Sequence, residues 1–170
     1  MKPSLIRLAL IALLSMATAP RLTAQSLEWV HNPTYQIKYK VPNNWAQVRQ
    51  ANDTMTLVTH VSPANDMLLF IGKLKGAGGH LTPEKALEKL LSDFGVKGNR
   101  VFPTRYNGIS FVETTGSGLM NYYPVQYDAM AAVHRGHVIL VYVYASPEAY
   151  EQHKPMMTEI IHSLSPYRGK

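Results

Sequence analysis

The stretch His137–Ala145 reads HVILVYVYA, and it decides the fold class that the sequence predicts. Apolar side chains occupy both odd and even positions, so both faces of an extended chain would be apolar. A strand of this kind is covered on both sides by other elements. The stretch therefore predicts a central strand, and Arg135-Gly136 just before it predicts a tight turn from a preceding strand.

Several other segments have the alternation or the apolar content of strands. Tyr35–Val41 places aromatic and aliphatic residues on one face and Gln and Lys on the other, which is typical of a half-buried strand. Met67–Lys75 is apolar on both faces, like the central strand. The remaining predicted strands are Trp45–Arg49, Thr54–Val61, Val101–Tyr106, Ile109–Thr115 and Met120–Val133.

Turn residues separate these strands. Asn107-Gly108 predicts a two-residue hairpin, because both residues tolerate the positive φ that such a turn needs. Pro42-Asn43-Asn44 predicts a turn after which Trp45–Arg49 returns along the preceding strand. Gly116-Ser117-Gly118 predicts a further break between two strands.

Two regions have helical signals. Thr82 can cap a helix, Pro83 suits its first position, and Gly95 can end it. Its apolar stripe consists of Ala86, Leu87, Leu90, Leu91 and Phe94.

The second helical region starts at Ser146-Pro147-Glu148. An interior proline removes a backbone hydrogen bond and clashes with the preceding turn. We therefore expect a short helix that ends near Gln152 and a second helix from about Pro155 to Leu164.

The N-terminus has the layout of a secretory signal peptide. Lys2 and Arg7 precede the uncharged run Leu8–Ala19, which is shorter than the 20 or so residues of a membrane-spanning helix. Ala17-Thr18-Ala19 fits the small-x-small cleavage rule, but Pro20 directly after it is unfavourable for the peptidase. Cleavage after Leu22-Thr23-Ala24 is therefore preferred, and we expect residues 1–24 to be removed. We expect residues 25–170 to form a single domain without a transmembrane segment. The chain has no cysteine, which excludes both disulfides and lipoprotein acylation.

The charge of the chain argues against a nucleic-acid partner. The whole chain carries a formal net charge of +6, and three of its 17 basic residues lie in the predicted signal. The remaining basic residues are spread along the sequence, whereas nucleic-acid binding usually shows as a concentrated basic stripe.

The corner Val41-Pro42-Asn43-Asn44-Trp45 and the terminal Ile160-Ile161-His162-Ser163-Leu164 carry a family resemblance. With the strands and helices between them, they make the chain similar to the PsbP/Mog/DcrB-like superfamily. The resemblance implies an α+β fold, with a central, mainly antiparallel sheet and helices packed against it in an α/β/α sandwich. Known members are mostly accessory or binding proteins, and the resemblance supplies no catalytic residues and no cofactor.

His134 and His137 are the nearest candidates for a metal site. With a two-residue loop they would lie opposite each other, whereas a three-residue loop would place His134 inside the turn. Zinc takes three or four protein ligands, and His60 could add a third only if folding brings it near. Solvated turn histidines are the simpler interpretation.

Four tyrosines are candidates for an interaction face. Tyr142 and Tyr144 share one face of their strand, and Tyr123 and Tyr127 share a face of the strand before it. Amphipathic rings of this kind are favoured at binding surfaces, although they also pack under helices with their hydroxyl groups at the rim.

Motifs for catalysis are absent from the sequence. No Gly-x-Ser-x-Gly elbow or phosphate-binding loop occurs, and Glu113 and Asp128 would need burial in a cleft before they suggested acid–base chemistry. We therefore expect an exported protein, periplasmic or secreted, that acts as a non-enzymatic accessory or binding protein of the bacterial envelope with a protein partner. A periplasmic protein that binds a small ligand or a metal is the second interpretation, and an enzyme of unrecognised type the third.

Overall fold

The structure is a computed structural model that describes residues 26–76, 80–93, 95–96, 100–120 and 122–168, without the side chain of Asp93. The predicted signal peptide and the predicted helix residue Phe94 lie outside the described residues.

Ten strands and two helices make up the described fold. The strands are β1 Leu27–Asn32, β2 Ile37–Pro42, β3 Ala46–Ala51, β4 Met55–Val61, β5 Met67–Leu74, β6 Phe102–Tyr106, β7 Ile109–Met120, β8 Tyr123–His134, β9 His137–Ala145 and β10 Ser165–Pro166. The helices are α1 Pro83–Asp93 and α2 Pro147–Ser163. No helix in the described ranges is long and apolar enough to cross a membrane.

The strands form two antiparallel sheets. The large sheet has the order β3-β4-β5-β9-β8-β7-β6, so β9 lies at its centre as the apolar sequence of that strand predicts. The small sheet has the order β1-β2-β10. This mainly antiparallel architecture, with a helix on each face of the large sheet, confirms the predicted α+β class.

Each face of the large sheet has its own core. On one face, α1 buries Leu87 and Leu90 against alternate residues of β8 and β9. On the other face, α2 buries Met157 and Ile160, and β2 adds Tyr39 to the same cluster. The small sheet and α2 therefore share one side of the molecule, and α1 covers the other.

Both predicted hairpin turns are confirmed. Tyr106 pairs with Ile109 around Asn107 and Gly108, whose φ angles are 47° and 93°. Arg135 and Gly136, with φ angles of 50° and 76°, join β8 to β9 in the same way.

The predicted return strand after Pro42 has a different partner. The turn at Pro42–Trp45 exists, since the amide of Trp45 donates to the carbonyl of Pro42 at 3.1 Å. However, β3 pairs with β4 in the large sheet, because both edges of β2 are already occupied by β1 and β10. The corner thus carries the chain from one sheet to the other.

The break predicted at Gly116–Gly118 is wrong. The chain stays extended through Met120, and the next strand starts at Tyr123. Gly118 instead permits a close approach, because a Cβ atom there would lie 2.8 Å from Cγ1 of Val96.

The predicted division of the C-terminal helix is also wrong. α2 runs without a break from Pro147 to Ser163 and contains Pro155. Pro155 lies on the exposed side, so the carbonyl of Glu151, which loses its helical donor, can reach water. Burial of apolar residues before and after the proline holds both halves against the same sheet.

Candidate functional site

The predicted tyrosine face lies largely inside the protein. Tyr127 and Tyr142 are fully buried beneath α1, with their ring centroids 5.8 Å apart. Tyr144 packs at the edge of the same cluster, and burial raises the pKa of all three hydroxyl groups. Tyr123 is exposed at the far end of β8. Of the two interpretations, packing under a helix therefore describes Tyr127 and Tyr142, and the four tyrosines do not share one surface patch because α1 covers the strands there.

The two candidate metal ligands are cross-strand partners. His134 pairs directly with His137 around the two-residue turn, but Nε2 of His134 lies 3.1 Å from the carbonyl oxygen of Gln36. A carbonyl accepts only, so this contact requires a proton on that nitrogen. His60 is buried beside Tyr39. Within the described residues, no group of three or more His, Asp or Glu side chains could hold a metal ion.

The two carboxylates considered for catalysis are each bound by a tyrosine. Tyr106 donates to Glu113 and Tyr150 donates to Asp128, both at 2.9 Å. Burial raises the pKa of Asp128, and the nearby charge of Glu113 raises it further. Each carboxylate is therefore engaged in its own hydrogen bond with a tyrosine hydroxyl.

The outward face of the small sheet combines an indole ring with two ammonium groups. Trp29 on β1 lies directly opposite Lys40 on β2 and diagonal to Lys38, so the three side chains share one face. Nζ of Lys38 lies 4.6 Å from the ring centroid of Trp29, and Nζ of Lys40 lies 5.7 Å from it. Trp29 nevertheless remains 47% exposed.

These side chains line an open groove of about 580 Å³. Its far wall is the C-terminal turn of α2, where Glu159 forms an ion pair of 3.0 Å with Lys40. Asn107 lines the floor of the groove, and its side-chain amide donates hydrogen bonds to the carbonyls of His162 and Leu164. The hairpin between β6 and β7 thus caps the helix and closes one end of the groove.

A second open cleft of about 650 Å³ continues around the same end of the molecule. It is lined by Pro33, Gln36, Arg135, Tyr167 and Arg168. Nη1 of Arg135 donates to Oε1 of Gln36 at 2.9 Å. The backbone of Tyr167 also donates to the carbonyl of Gln36, which fixes the wall of the cleft.

We call these two clefts and the residues between them the basic–aromatic face, defined by Trp29, Lys38, Lys40, Tyr167, Arg135 and Arg168. Sequence reasoning missed this face because it comes from segments far apart in the chain. One local signal existed, since Tyr35–Val41 was recognised as a strand with Lys38 and Lys40 on its polar side. Strand β1, which supplies Trp29, was not predicted at all.

Comparison with known proteins shows similar folds among solved structures but little sequence similarity. No protein-family model matches the chain, and no curated protein matches its sequence. Among solved structures, it is similar to cyanobacterial PsbP (CyanoP) from Synechocystis sp. PCC 6803, with a TM-score of 0.64 and 12% identity. That match covers 90% of this chain and 99% of the other.

Two further structures share the architecture. LpqN, a protein involved in cell envelope biogenesis of Mycobacterium tuberculosis, matches with a TM-score of 0.52 and 17% identity over 84% of this chain and 91% of its own. PA94 of Pseudomonas aeruginosa, a protein of unknown function, has the same TM-score at 11% identity and covers 84% of this chain and 99% of its own. The chain therefore has a PsbP-like α+β fold.

Proposed function

We propose that this protein is a non-enzymatic accessory protein of the bacterial cell envelope that binds an acidic partner protein through its basic–aromatic face. The observation that carries the proposal is the half-exposed ring of Trp29, which lies in a groove beneath the ammonium groups of Lys38 and Lys40. Tryptophan residues in such positions are frequent anchors of protein interfaces. The sequence-based expectation of export places the protein in the periplasm or the external medium.

The charges around the groove favour an acidic partner. Among the described residues, the ammonium group of Lys38 contacts the Trp29 ring and forms no ion pair with a carboxylate. Lys40 is paired with Glu159, a contact between partly exposed groups that contributes about 1 kcal/mol or less. A carboxylate of the partner can therefore approach Lys38 directly and replace Glu159 at Lys40.

The shape of the site supports binding over catalysis. Both clefts are open, and the carboxylate pair Glu113 and Asp128 lies outside them in contact with tyrosine hydroxyls. An envelope role is also in keeping with the similar fold of LpqN. A small anionic ligand is the alternative occupant of the same groove.

A pull-down from native envelope extract tests the proposal, with a chain that starts at Gln25 as bait. We expect one saturable partner, with binding lowered about tenfold or more by Trp29→Ala, as for an interface anchor. The matched control is Phe102→Ala, because Phe102 is 50% exposed and lies beneath the guanidinium of Arg100 but lines neither cleft.

Charge is tested in the same assay. Lys38→Ala should weaken capture, whereas Lys85→Ala on the exposed side of α1 should leave it unchanged. Absence of any partner above background would contradict the protein-partner proposal. Equal losses in the Trp29 and Phe102 variants would show that the basic–aromatic face is not the binding site.

A further inference from the structure

The end of the β7–β8 hairpin carries exposed apolar side chains and no charged residue. No Asp, Glu, Lys or Arg occurs from Thr114 to Tyr127. Near its turn, Tyr122 is 96% exposed, Tyr123 is 74% exposed and Leu119 is 59% exposed. Large apolar side chains at this degree of exposure, grouped at one tip, are typical of an interaction site.

The hairpin end projects beyond the rest of the large sheet. β6 pairs with β7 only as far as Glu113, and β9 pairs with β8 only from Gln126 onward. Between these limits, β7 and β8 pair with each other up to Met120 and Tyr123.

The β7–β8 hairpin is braced near its tip by the segment that follows α1. The side chain of Val96 packs directly over Gly118, where no Cβ atom would fit. The tip is therefore held at a fixed position relative to the core, and its exposed side chains are presented by a supported hairpin.

Tyr122 has a strained backbone. Its φ is 70°, in a region that bulky residues rarely adopt, and its side chain is almost fully exposed. Glycine at this position would relieve the strain, so the tyrosine is not explained by the stability of the fold. Strain of this kind is concentrated at functional positions.

The chemistry of the tip favours a lipid surface over a protein partner. Protein interfaces surround aromatic anchors with a polar rim that includes charged groups, whereas here the nearest charged residues along the strands are Glu113 and Asp128. Tyrosine is enriched at the interface between membrane and water, where its ring is apolar and its hydroxyl remains hydrated.

The length of the uncharged part of the β7–β8 hairpin is also suited to contact with a lipid bilayer. From Thr115 to Met120 an extended chain spans about 17 Å. The polar layer on each side of a bilayer is roughly 5–8 Å deep, so the tip can enter this layer before the charged residues of its own two strands reach it.

We propose that the β7–β8 hairpin end is a membrane-contact element that inserts Leu119, Tyr122 and Tyr123 into the interfacial layer of a lipid bilayer. This role is independent of the basic–aromatic face, which lies at the opposite end of β8, beside His134. The bound protein would hold its basic–aromatic face away from the membrane, accessible to an envelope partner.

The absence of cysteine in the chain permits a site-specific test. Leu119→Cys, in a chain that starts at Gln25 and contains every described helix and strand, is labelled with an environment-sensitive fluorophore and mixed with phosphatidylcholine–phosphatidylethanolamine vesicles. We expect a blue shift that persists at about 0.5 M salt, where charge interactions are screened. The matched control is Val133→Cys, an exposed apolar position at the other end of β8, which should show no shift.

Vesicle sedimentation of the unlabelled protein gives the second measurement. The double variant Tyr122→Asn, Tyr123→Ser should lower partitioning about tenfold or more, which corresponds to removing roughly 60 Å² of immersed apolar surface. The control is the double variant Val48→Ser, Val133→Ser, which removes exposed apolar surface away from the hairpin end. Urea unfolding of each variant shows that the fold is retained.

Two outcomes would overturn this proposal. The first is the absence of a shift at position 119 with any vesicle. The second is binding only to phosphatidylglycerol vesicles, abolished by salt and by Lys38→Ala, which would assign membrane contact to the basic–aromatic face instead.

Discussion

The hydroxyl group of Tyr39 lies 2.9 Å from Nε2 of His60, and the two rings meet edge to face. Tyr39 belongs to the small sheet and His60 to the large one, so this contact joins the two sheets inside the core. Burial, together with a smaller effect of the nearby charge of Arg49, lowers the pKa of His60 to about 4. Burial raises the pKa of Tyr39. Both side chains are therefore neutral at pH 7.

This pair makes stability depend on pH below neutrality. In the unfolded chain His60 titrates near its ordinary pKa of 6.5, so as the pH falls below that value the unfolded state gains a proton that the folded state resists. The contribution of His60 to stability is complete above pH 6.5 and is lost as the pH falls towards 4, by about 3 kcal/mol at most.

Urea unfolding at pH 7.5 and 4.5 measures this effect. His60→Gln should flatten the dependence between these values, whereas His80→Gln, an exposed control, should leave it as in the parent chain. An unchanged slope in the His60 variant would show that other groups cause the acid sensitivity.

Gly118→Ala should destabilise the protein by about 1–3 kcal/mol, the usual effect of overpacking. The new Cβ atom would lie 2.8 Å from Cγ1 of Val96. Gly72→Ala is the matched control, because a Cβ atom there has its nearest neighbour at 3.7 Å. The free energy of unfolding distinguishes the two, and Val96→Ala should rescue the Gly118 variant.

Pro155→Ala should raise the free energy of unfolding by about 1 kcal/mol. The substitution restores an amide donor for the carbonyl of Glu151. Loss of the proline also gives the unfolded chain more conformational freedom, which offsets part of this gain. Pro147→Ala at the start of α2 is the control, since no helical hydrogen bond is missing at that position. A loss of stability in the Pro155 variant would argue that the helix is interrupted at that residue.

Asp128→Asn should stabilise the protein at neutral pH. Burial and the charge of Glu113 raise the pKa of Asp128, so folding disfavours its ionised form and the carboxylate lowers stability once it is charged. Asparagine removes the charge but can still accept the hydrogen bond from Tyr150. The gain should shrink as the pH falls and the native aspartate becomes protonated.

Asp128→Ala is the matched comparison in the same unfolding experiment. It removes both the charge and the acceptor of the Tyr150 hydroxyl, a bond that contributes about 1 kcal/mol. Stability of the asparagine variant no higher than that of the alanine variant would contradict this account of the site.

The sequence predicted elements whose cause is local. Helix α1 begins at the predicted Pro83 because its cap and apolar stripe lie within a few turns of one another. The hairpins at Asn107-Gly108 and Arg135-Gly136 follow from positive φ at adjacent residues. Strand β1 was missed because its apolar residues do not alternate: Leu27 and Val30, which pack against the core, are three residues apart, and Trp29 between them is exposed.

The sequence by itself determined the α+β class, the central position of β9 and the hairpin turns, because side-chain period and backbone angles act over a few residues. Only the tertiary structure decided that β3 leaves β2 for the large sheet, that α2 continues through Pro155 and that α1 buries Tyr127 and Tyr142. Only the tertiary structure also placed Trp29 in one groove with Glu159 of α2. These features depend on which distant segments compete for the same edge or face, and the free energy of that packing is not contained in any local stretch of the chain.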